Sequence, residues 1–481
     1  MISSRIDIGK RMSCTEYNRN NSWLYNGNNG NANNNNRMNS YSVRASLEFG
    51  YSNDNLEDYY IPLHEWYEIY RQCRKHKRIK PTQLVFEYNF VRSLIPLVHE
   101  VNNHEYVPRK AICFIINIPR TREVIAADFA DRLVHTLYCR SLMPYLEEHH
   151  YHNDSYACRV GKGGLRAVYK FRDYVENECS KNENLCIIGL DMYNFFMSLD
   201  MVMLSRMLED FIDKNIHNTQ LSNTLKYLTR IWYLSLPQEH CIFKSPKWMW
   251  NNLPKRKSLI GKTNYEGTAI GNLHAQMMGL FVSSMIGDML TSMGYKFVIY
   301  TDDIYVAVPC FDRWRDDLKT LEYYCTNTLH VRIHPNKRYV QHWSKGCNIL
   351  GMRMRYGIIT PSKRMVHNLK WMCSCEARKA NEHFGYALRN KEGLMSSINS
   401  YMGLMKWTSS YTIRKSVFST LKESKWSEIF NFDNITFSKV SIKNNMTRDM
   451  WYRMKNKKRK SKNNTMRMKN TQLNSEGGKN D

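Results

Sequence analysis

Between two apolar, β-rich runs, Lys296–Tyr300 and Ile304–Val308, the chain passes through Thr301-Asp302-Asp303. A hairpin that only has to reverse direction favours Asn-Gly or Asp-Gly at its tip. Here two neighbouring carboxylates occupy it. They repel each other, and burying them costs roughly several kcal/mol unless a cation is present. A hard divalent ion answers that demand, since Mg²⁺ takes a few carboxylates together with substrate phosphates. Holding two such ions about 4 Å apart calls for a third acid. Asp191 is the candidate: it closes the apolar run Leu185–Leu190, about 110 residues upstream of the pair. Such a site suits in-line displacement at phosphorus, with one ion lowering the pKa of a 3′-hydroxyl and the other stabilising pyrophosphate as it leaves. An adjacent Asp pair alone is common in turns. The strand-borne Asp191 gives the pattern its specificity.

The charge balance agrees with a phosphate-bearing partner. Lys and Arg number 70 against 44 Asp and Glu, a net +26, which points first to nucleic acid and second to anionic lipid. With 42% hydrophobic residues over 481 positions the chain can build cores, about three packed units at roughly 150 residues each. Thirteen cysteines with no CxxC pair, and Cys373 and Cys375 one residue apart, read as free thiols in a reducing compartment. The first residues have no apolar signal region. The longest apolar stretch, Met277–Leu290, is about 14 residues and is interrupted by Gly287-Asp288, short of the roughly 20 needed to span a bilayer. A soluble, cytoplasmic protein with no membrane partner is the expectation.

Along the chain, Asn18–Asn39 is about half asparagine and is expected to be flexible. Helical spacing starts at Trp66, Ile69, Tyr70 and Cys73. It continues over Val85–Val101, with a break or kink expected at Pro96. Lys110–Ile118 predicts a strand and Asp128–Tyr145 a helix; Asn348–Arg353 predicts another short strand. From Ser362 to about Ser424 the pattern is helical, with Ile398, Tyr401, Met402 and Met405 on one face. Beyond Asn444 the chain is basic and polar, as expected of a tail that touches phosphates without order.

Taken together, Asp191-x4-Phe196, Tyr300-x-Asp302-Asp303, His334-Pro-Asn-Lys337 and Lys345-Gly-x-x-x-Leu350-Gly351 resemble the successive palm motifs of reverse transcriptases, in order and spacing, from about residue 55 to 430. Arg122-Glu-Val-Ile-Ala-Ala-Asp128, Arg132-x-Val134-His135, Asp154-Ser-Tyr-Ala-Cys-Arg159-x-Gly161-Lys162-Gly163 and Ile270-Gly271-Asn272-Leu-His-Ala-Gln276 are similar to those of diversity-generating retroelements. In that group an aliphatic residue stands where most reverse transcriptases have Gln, and the motif ends in Ser-Gln; Ile270 and Gln276 fit, whereas Ala275 departs from Ser.

The resemblance implies an α+β right hand of fingers, palm (an antiparallel sheet with helices on one face) and helical thumb. Its boundaries would be an Asn-rich segment 1–52, fingers with the first palm strand 53–185, palm 186–360, thumb 361–430 and basic tail 431–481. It implies DNA synthesis on an RNA template from dNTPs, with two Mg²⁺ ions, or Mn²⁺ in their place, on Asp191, Asp302 and Asp303. Phe196 would be the steric gate against a 2′-hydroxyl, Arg122 would grip the triphosphate, and Lys337 would protonate pyrophosphate. Ile270, Gly271 and Gln276 would lie beside the incoming nucleotide; Ile270 offers no hydrogen bonds, so discrimination opposite template adenine should loosen. Arg159, Lys162, Lys345 and Lys406 would touch nucleic acid, with Arg414 and Lys415 facing phosphates on the thumb.

Implied partners are template RNA, cDNA and target DNA, and a small basic accessory protein forming a pentameric ring. The product would be adenine-mutagenised cDNA copied from a template repeat for transfer into a variable repeat. Residues 18–49, with the closing SVRASLEF run, also resemble the end of the variable proteins such elements diversify, as if a template repeat were read in frame. Two other readings stand beside this one. A reverse transcriptase of the retron or abortive-infection type would show an ordinary error spectrum. A non-catalytic RNA-binding scaffold would gain nothing from three unneutralised acids.

Overall fold

The helical and alternating apolar patterns of the sequence form a mixed α+β fold with several small sheets. It is described by a computed structural model over residues 11–16, 21–26, 31–36, 60–75, 80–117 and 120–443. The basic tail beyond Asn444, most of the 1–52 segment and its closing SVRASLEF run lie outside these residues. Within the Asn-rich part, expected to be flexible, β1 (Arg11–Glu16), β2 (Asn21–Asn26) and β3 (Asn31–Asn36) pair as an antiparallel meander. Among the described residues no helix is long and apolar enough to cross a membrane.

The chain divides into two compact units, residues 1–163 with 188–339, and 164–187 with 340–481. In the first unit α1 (Leu63–Arg74) buries Trp66, Ile69 and Tyr70, the spacing seen in the sequence. The helix expected over Val85–Val101 is instead two, α2 (Pro81–Tyr88) and α3 (Phe90–Asn102). The break falls at Asn89, whose φ of −108° and ψ of 39° leave the helical region, while Pro96 is accommodated inside α3. β4 (Ile112–Ile116) and β5 (Arg122–Ala126) form a hairpin, and α4 (Phe129–His149) follows, its first turn capped by Asp128 accepting from Ala130 N at 3.0 Å.

The helix α5 (Gly164–Cys179) belongs to the second unit. Then come β6 (Cys186–Met192), α6 (Met201–Asn215), α7 (Thr219–Tyr233) and β7 (Ile242–Phe243), which adds to β4 in parallel. The apolar stretch near residue 280 is α8 (Leu273–Ser292), buried on nearly every side, as a helix without a polar face must be. β8 (Lys296–Tyr300) and β9 (Asp303–Val308) form the hairpin the sequence predicts, followed by α9 (Phe311–Asn327) and β10 (Ile333–His342). The sheet that carries the acids has the order β10-β6-β9-β8. β10 approaches β6 so closely that a Cβ on Gly189 would lie 2.2 Å from the Tyr339 ring.

In the second unit the single strand expected over Asn348–Arg353 is a tight hairpin, β11 (Cys347–Ile349) and β12 (Met352–Arg355). Leu350 and Gly351, with φ of 47° and 81°, make the two-residue turn, and two consecutive positive φ angles are what a right-twisted hairpin asks of its loop. β13 (Ile358–Pro361) completes this sheet. The helices α10 (Lys363–Glu382), α11 (Phe384–Met405) and α12 (Tyr411–Lys422) enclose a core of Leu369, Ile398, Met402, Met405, Phe418 and Trp426. Ile398, Met402 and Met405 are the face expected from their spacing, with Tyr401 packed at its edge.

Candidate active site

Asp191 sits one residue before the end of β6, and the β8–β9 turn brings Asp302 beside it: Met192 N donates to the Asp302 carbonyl at 3.0 Å. Tyr300 and Asp303 are the last paired positions of the hairpin, so Thr301 and Asp302 alone make its turn. Thr301 has φ 59°. A β-branched residue rarely adopts that left-handed conformation, and the strain is held at the residue that aims Asp302.

All three acids are half-buried. Burial pushes the Asp303 carboxyl up from its ordinary 3.8 to about 6, reinforced by the negative charges of Asp302 and Asp191 and opposed by Lys337 and Arg120. Asp302 is raised as well, first by burial and then by Asp191, and is pulled back by Arg122 and Lys337. Asp191 thus acts on both acids of the turn, and Asp302 acts on Asp303. Both oxygens of Asp191 accept from the Lys337 ammonium at 2.9 Å. The sequence pairs Lys337 with the leaving group; the structure places it on the first acid.

Among the described residues no three His, Cys, Asp or Glu side chains form a group that could hold a metal ion as they stand. The donor chemistry nevertheless suits a hard divalent ion, because all three acids offer only carboxylate oxygen and two of them are held at raised pKa. An ion held by Asp191 would compete with the Lys337 ammonium that now occupies both of its oxygens.

Phe196 lies in a short 3₁₀ turn (Phe195–Met197) that begins at Asn194, itself at φ 48°. Its ring packs against Gly279 of α8, where a Cβ would come within 2.9 Å, and edge-on to Phe195 at 5.4 Å. Ile270 is half-buried, packed against the cluster that contains Ala111, Cys113 and Ile125, and its carbonyl accepts from Ile125 N at 3.2 Å. Gly271 follows at φ 118°, where a Cβ would meet Val124 at 2.9 Å, so glycine is required by both backbone and neighbour. Gln276 is exposed on the first turns of α8.

Arg159, expected to touch template, is committed within the fold. Its side chain is 4% exposed; Nε donates to Glu147 at 2.9 Å and Nη1 to the carbonyls of His152 and Ser155. It clasps the loop that leads to Gly163, an architectural task. Lys162 donates to the Asn153 carbonyl at 2.6 Å and lies over the Tyr156 ring. In the second unit Lys345 is exposed in the turn before β11, and Lys406 at the end of α11 lies over the exposed Trp407 ring at 5.2 Å. Arg414, expected to face phosphates, is instead buried and donates to the Thr436 carbonyl, because the apolar face of α12 turns that position inward.

Sequence reasoning passed over three residues, one acting on an acid, one lying over a ring close in the chain to another, and the third anchoring a neighbouring loop. Arg120 acts on Asp303 as Arg122 does on Asp302. Arg256 lies over the ring of Tyr193, two residues past Asp191, at 5.5 Å. Glu123, 1% exposed, accepts from Trp250 Nε1 at 2.7 Å, from Leu259 N at 2.8 Å and from the Ser258 hydroxyl. An acid inside the run Glu123-Val-Ile-Ala, and the acid-free Lys255-Arg-Lys257, were the available signals.

No family model and no curated protein matches the chain. Among solved structures it is similar to apo telomerase from Candida Tropicalis truncated from its C-terminal domain, with 11% identity and a TM-score of 0.39 over 53% of this chain and 56% of that one. It is also similar to apo telomerase from the same organism, with 10% identity and a TM-score of 0.40 over 65% of this chain and 59% of that one. The chain thus spans less than two thirds of the length of either, and the likeness is a distant one of structure.

Proposed function

We propose that this chain is an RNA-directed DNA polymerase whose nucleotidyl transfer takes place at Asp191, Asp302 and Asp303. What carries the reading is the gathering of these three carboxylates from a strand end and a strained hairpin turn, with burial and the neighbouring acids raising Asp302 and Asp303. A fold retains such a charge conflict where function uses it. Divalent ions, when bound by the three acids, would supply the neutralising charge and the Lewis acidity that phosphoryl transfer needs.

The remaining steps fall to the chain's own side chains. Arg122, with Arg120 beside it, binds the triphosphate by charge-assisted hydrogen bonds. Phe196, wedged on Gly279, presents a flat ring that leaves no room for a 2′-hydroxyl, so deoxynucleotides are selected. Lys337, whose ammonium now sits on Asp191, would hold a proton against the departing pyrophosphate if an ion took its place on that carboxylate. On this reading the sheet of Asp191 is the palm, the β4–β5 hairpin part of the fingers, and the α10–α12 bundle the thumb. The diversity-generating type is supported by Ile270, Gly271 and Gln276 and by the motifs around Arg122 and Arg159. It would make the product a cDNA altered at template adenines, with a basic accessory ring as partner.

Primer extension on an RNA template with dNTPs and Mg²⁺, comparing the unaltered chain with Asp302→Ala, tests the assignment. Synthesis should fall by several orders of magnitude. Equal synthesis by the two proteins would show that the acids have been given the wrong task.

A further inference from the structure

Between α7 and α8 the stretch Cys241–Lys262 contains six Lys or Arg residues and no acid. It is a ribbon pinned at both ends. At one end β7 pairs with β4, and Lys244 N donates to the Cys113 carbonyl at 2.8 Å. At the other the buried Glu123 carboxylate gathers Trp250 Nε1, the Ser258 hydroxyl and Leu259 N. A carboxylate satisfied by three donors in the interior is a rigid anchor. The anchoring leaves large side chains on the outside: Trp248 is 63% exposed and Phe243 37%. Lys247 lies over the Phe243 ring at 5.5 Å, and Phe243 meets Trp250 edge-on at 5.3 Å. Lys244, Lys255 and Lys257 are exposed along the same ribbon, and Arg256 reaches the Tyr193 ring beside the acids.

We infer that this ribbon is a binding face for single-stranded RNA, with Trp248 as a stacking platform for an unpaired base and Lys244 and Lys247 as phosphate contacts. Alternating exposed rings and cations on a fixed backbone is the chemistry by which proteins hold single strands without reading sequence. A duplex hides its base faces along its length, so an exposed indole finds no stacking partner there. The choice of RNA rests on the proposed polymerase reading, in which the unpaired strand ahead of the acids is template. Arg256, over the ring of Tyr193 two residues past Asp191, ties the ribbon to the segment that leaves the first acid.

The test is fluorescence anisotropy with a labelled, unstructured RNA of about a dozen nucleotides. Binding is measured without dNTPs or divalent ions, so the result stands whether or not the chain polymerises; extension by the unaltered chain tests that separately. Trp248→Ala should weaken binding about tenfold, and Trp248→Phe should restore most of it. The pair Lys244→Ala and Lys247→Ala should flatten the dependence of log affinity on log salt by roughly one to one and a half. Unchanged affinity in Trp248→Ala, an equal loss on blunt duplex RNA, or a loss seen only with single-stranded DNA would each overturn the inference.

Discussion

Replacing Asp303 by Asn removes a charge that the fold holds at a cost, and that cost can be worked out from its titration. The carboxyl is raised from 3.8 to about 6 by burial and by its two acidic neighbours. The folded chain thus binds this proton more tightly than the unfolded chain does. The stability it contributes is fully present below about pH 3.8 and is lost as pH rises through about 6. Unscreened, the difference amounts to roughly 3 kcal/mol. Asp303 is only half-buried, and solvent screening brings this to about 1–2 kcal/mol. In EDTA at pH 7.5, Asp303→Asn should therefore be more stable than the unaltered chain by about 1–2 kcal/mol, with roughly a third of that gain left at pH 4.5. Urea denaturation of both proteins at the two pH values measures it. Adding Mg²⁺ should stabilise the unaltered chain more than the variant, since the carboxylate is where a cation gains most. A variant less stable at pH 7.5, or a gain independent of pH, would mean that Asp303 does not sit in an unfavourable field.

Three further outcomes are expected. Thr301→Asn suits the positive φ of the turn better and should stabilise the first unit by about 0.5–1 kcal/mol, read as a rise in denaturation midpoint. Gly189→Ala drives a methyl group into the Tyr339 ring and should cost about 1–3 kcal/mol. Because β10 also carries Lys337, primer extension should fall with it. Ile270→Gln restores a hydrogen-bonding side chain and should raise fidelity opposite template adenine, measured by sequencing the cDNA; an unchanged error spectrum would count against Ile270 as the source.

The hairpin that carries Asp302 and Asp303 was legible in the sequence because its two strands are apolar and its turn is not. β6 was legible for the same reason, although the strand runs one residue past Asp191. Elements went astray where a single residue's backbone decides. Asn89 ends α2, whereas Pro96, the stronger breaker on paper, sits inside α3. Leu350 folds one expected strand into two by adopting a positive φ that no leucine advertises. Side-chain destinations were harder still. Arg159 and Arg414 look like surface cations in sequence, yet each side chain is taken inside, Arg159 by Glu147 and nearby loop carbonyls and Arg414 by the Thr436 carbonyl. Periodicity gives a residue's face, while pairing between elements determines which cations remain outside.

That distinction bears on how the acids coexist before any ion arrives. Asp191, Asp302 and Asp303 face Arg120, Arg122 and Lys337, one cation for each acid. The site is near neutral as it folds, which keeps the carboxylates tolerable at modest cost. On the proposed reading, divalent ions would satisfy the acids directly, and the three basic side chains would then be in excess. A triphosphate is what that excess fits. Two arginines already in the field of the acids, and a lysine that would be released from Asp191, could meet its oxygens without drawing new charge from elsewhere. The Lys337–Asp191 pair would then be the resting form of an exchange, since the ammonium that now neutralises Asp191 would become available where negative charge leaves. A lysine serves here better than an arginine would, because a single-point cation can let go of a carboxylate that a bidentate guanidinium would retain.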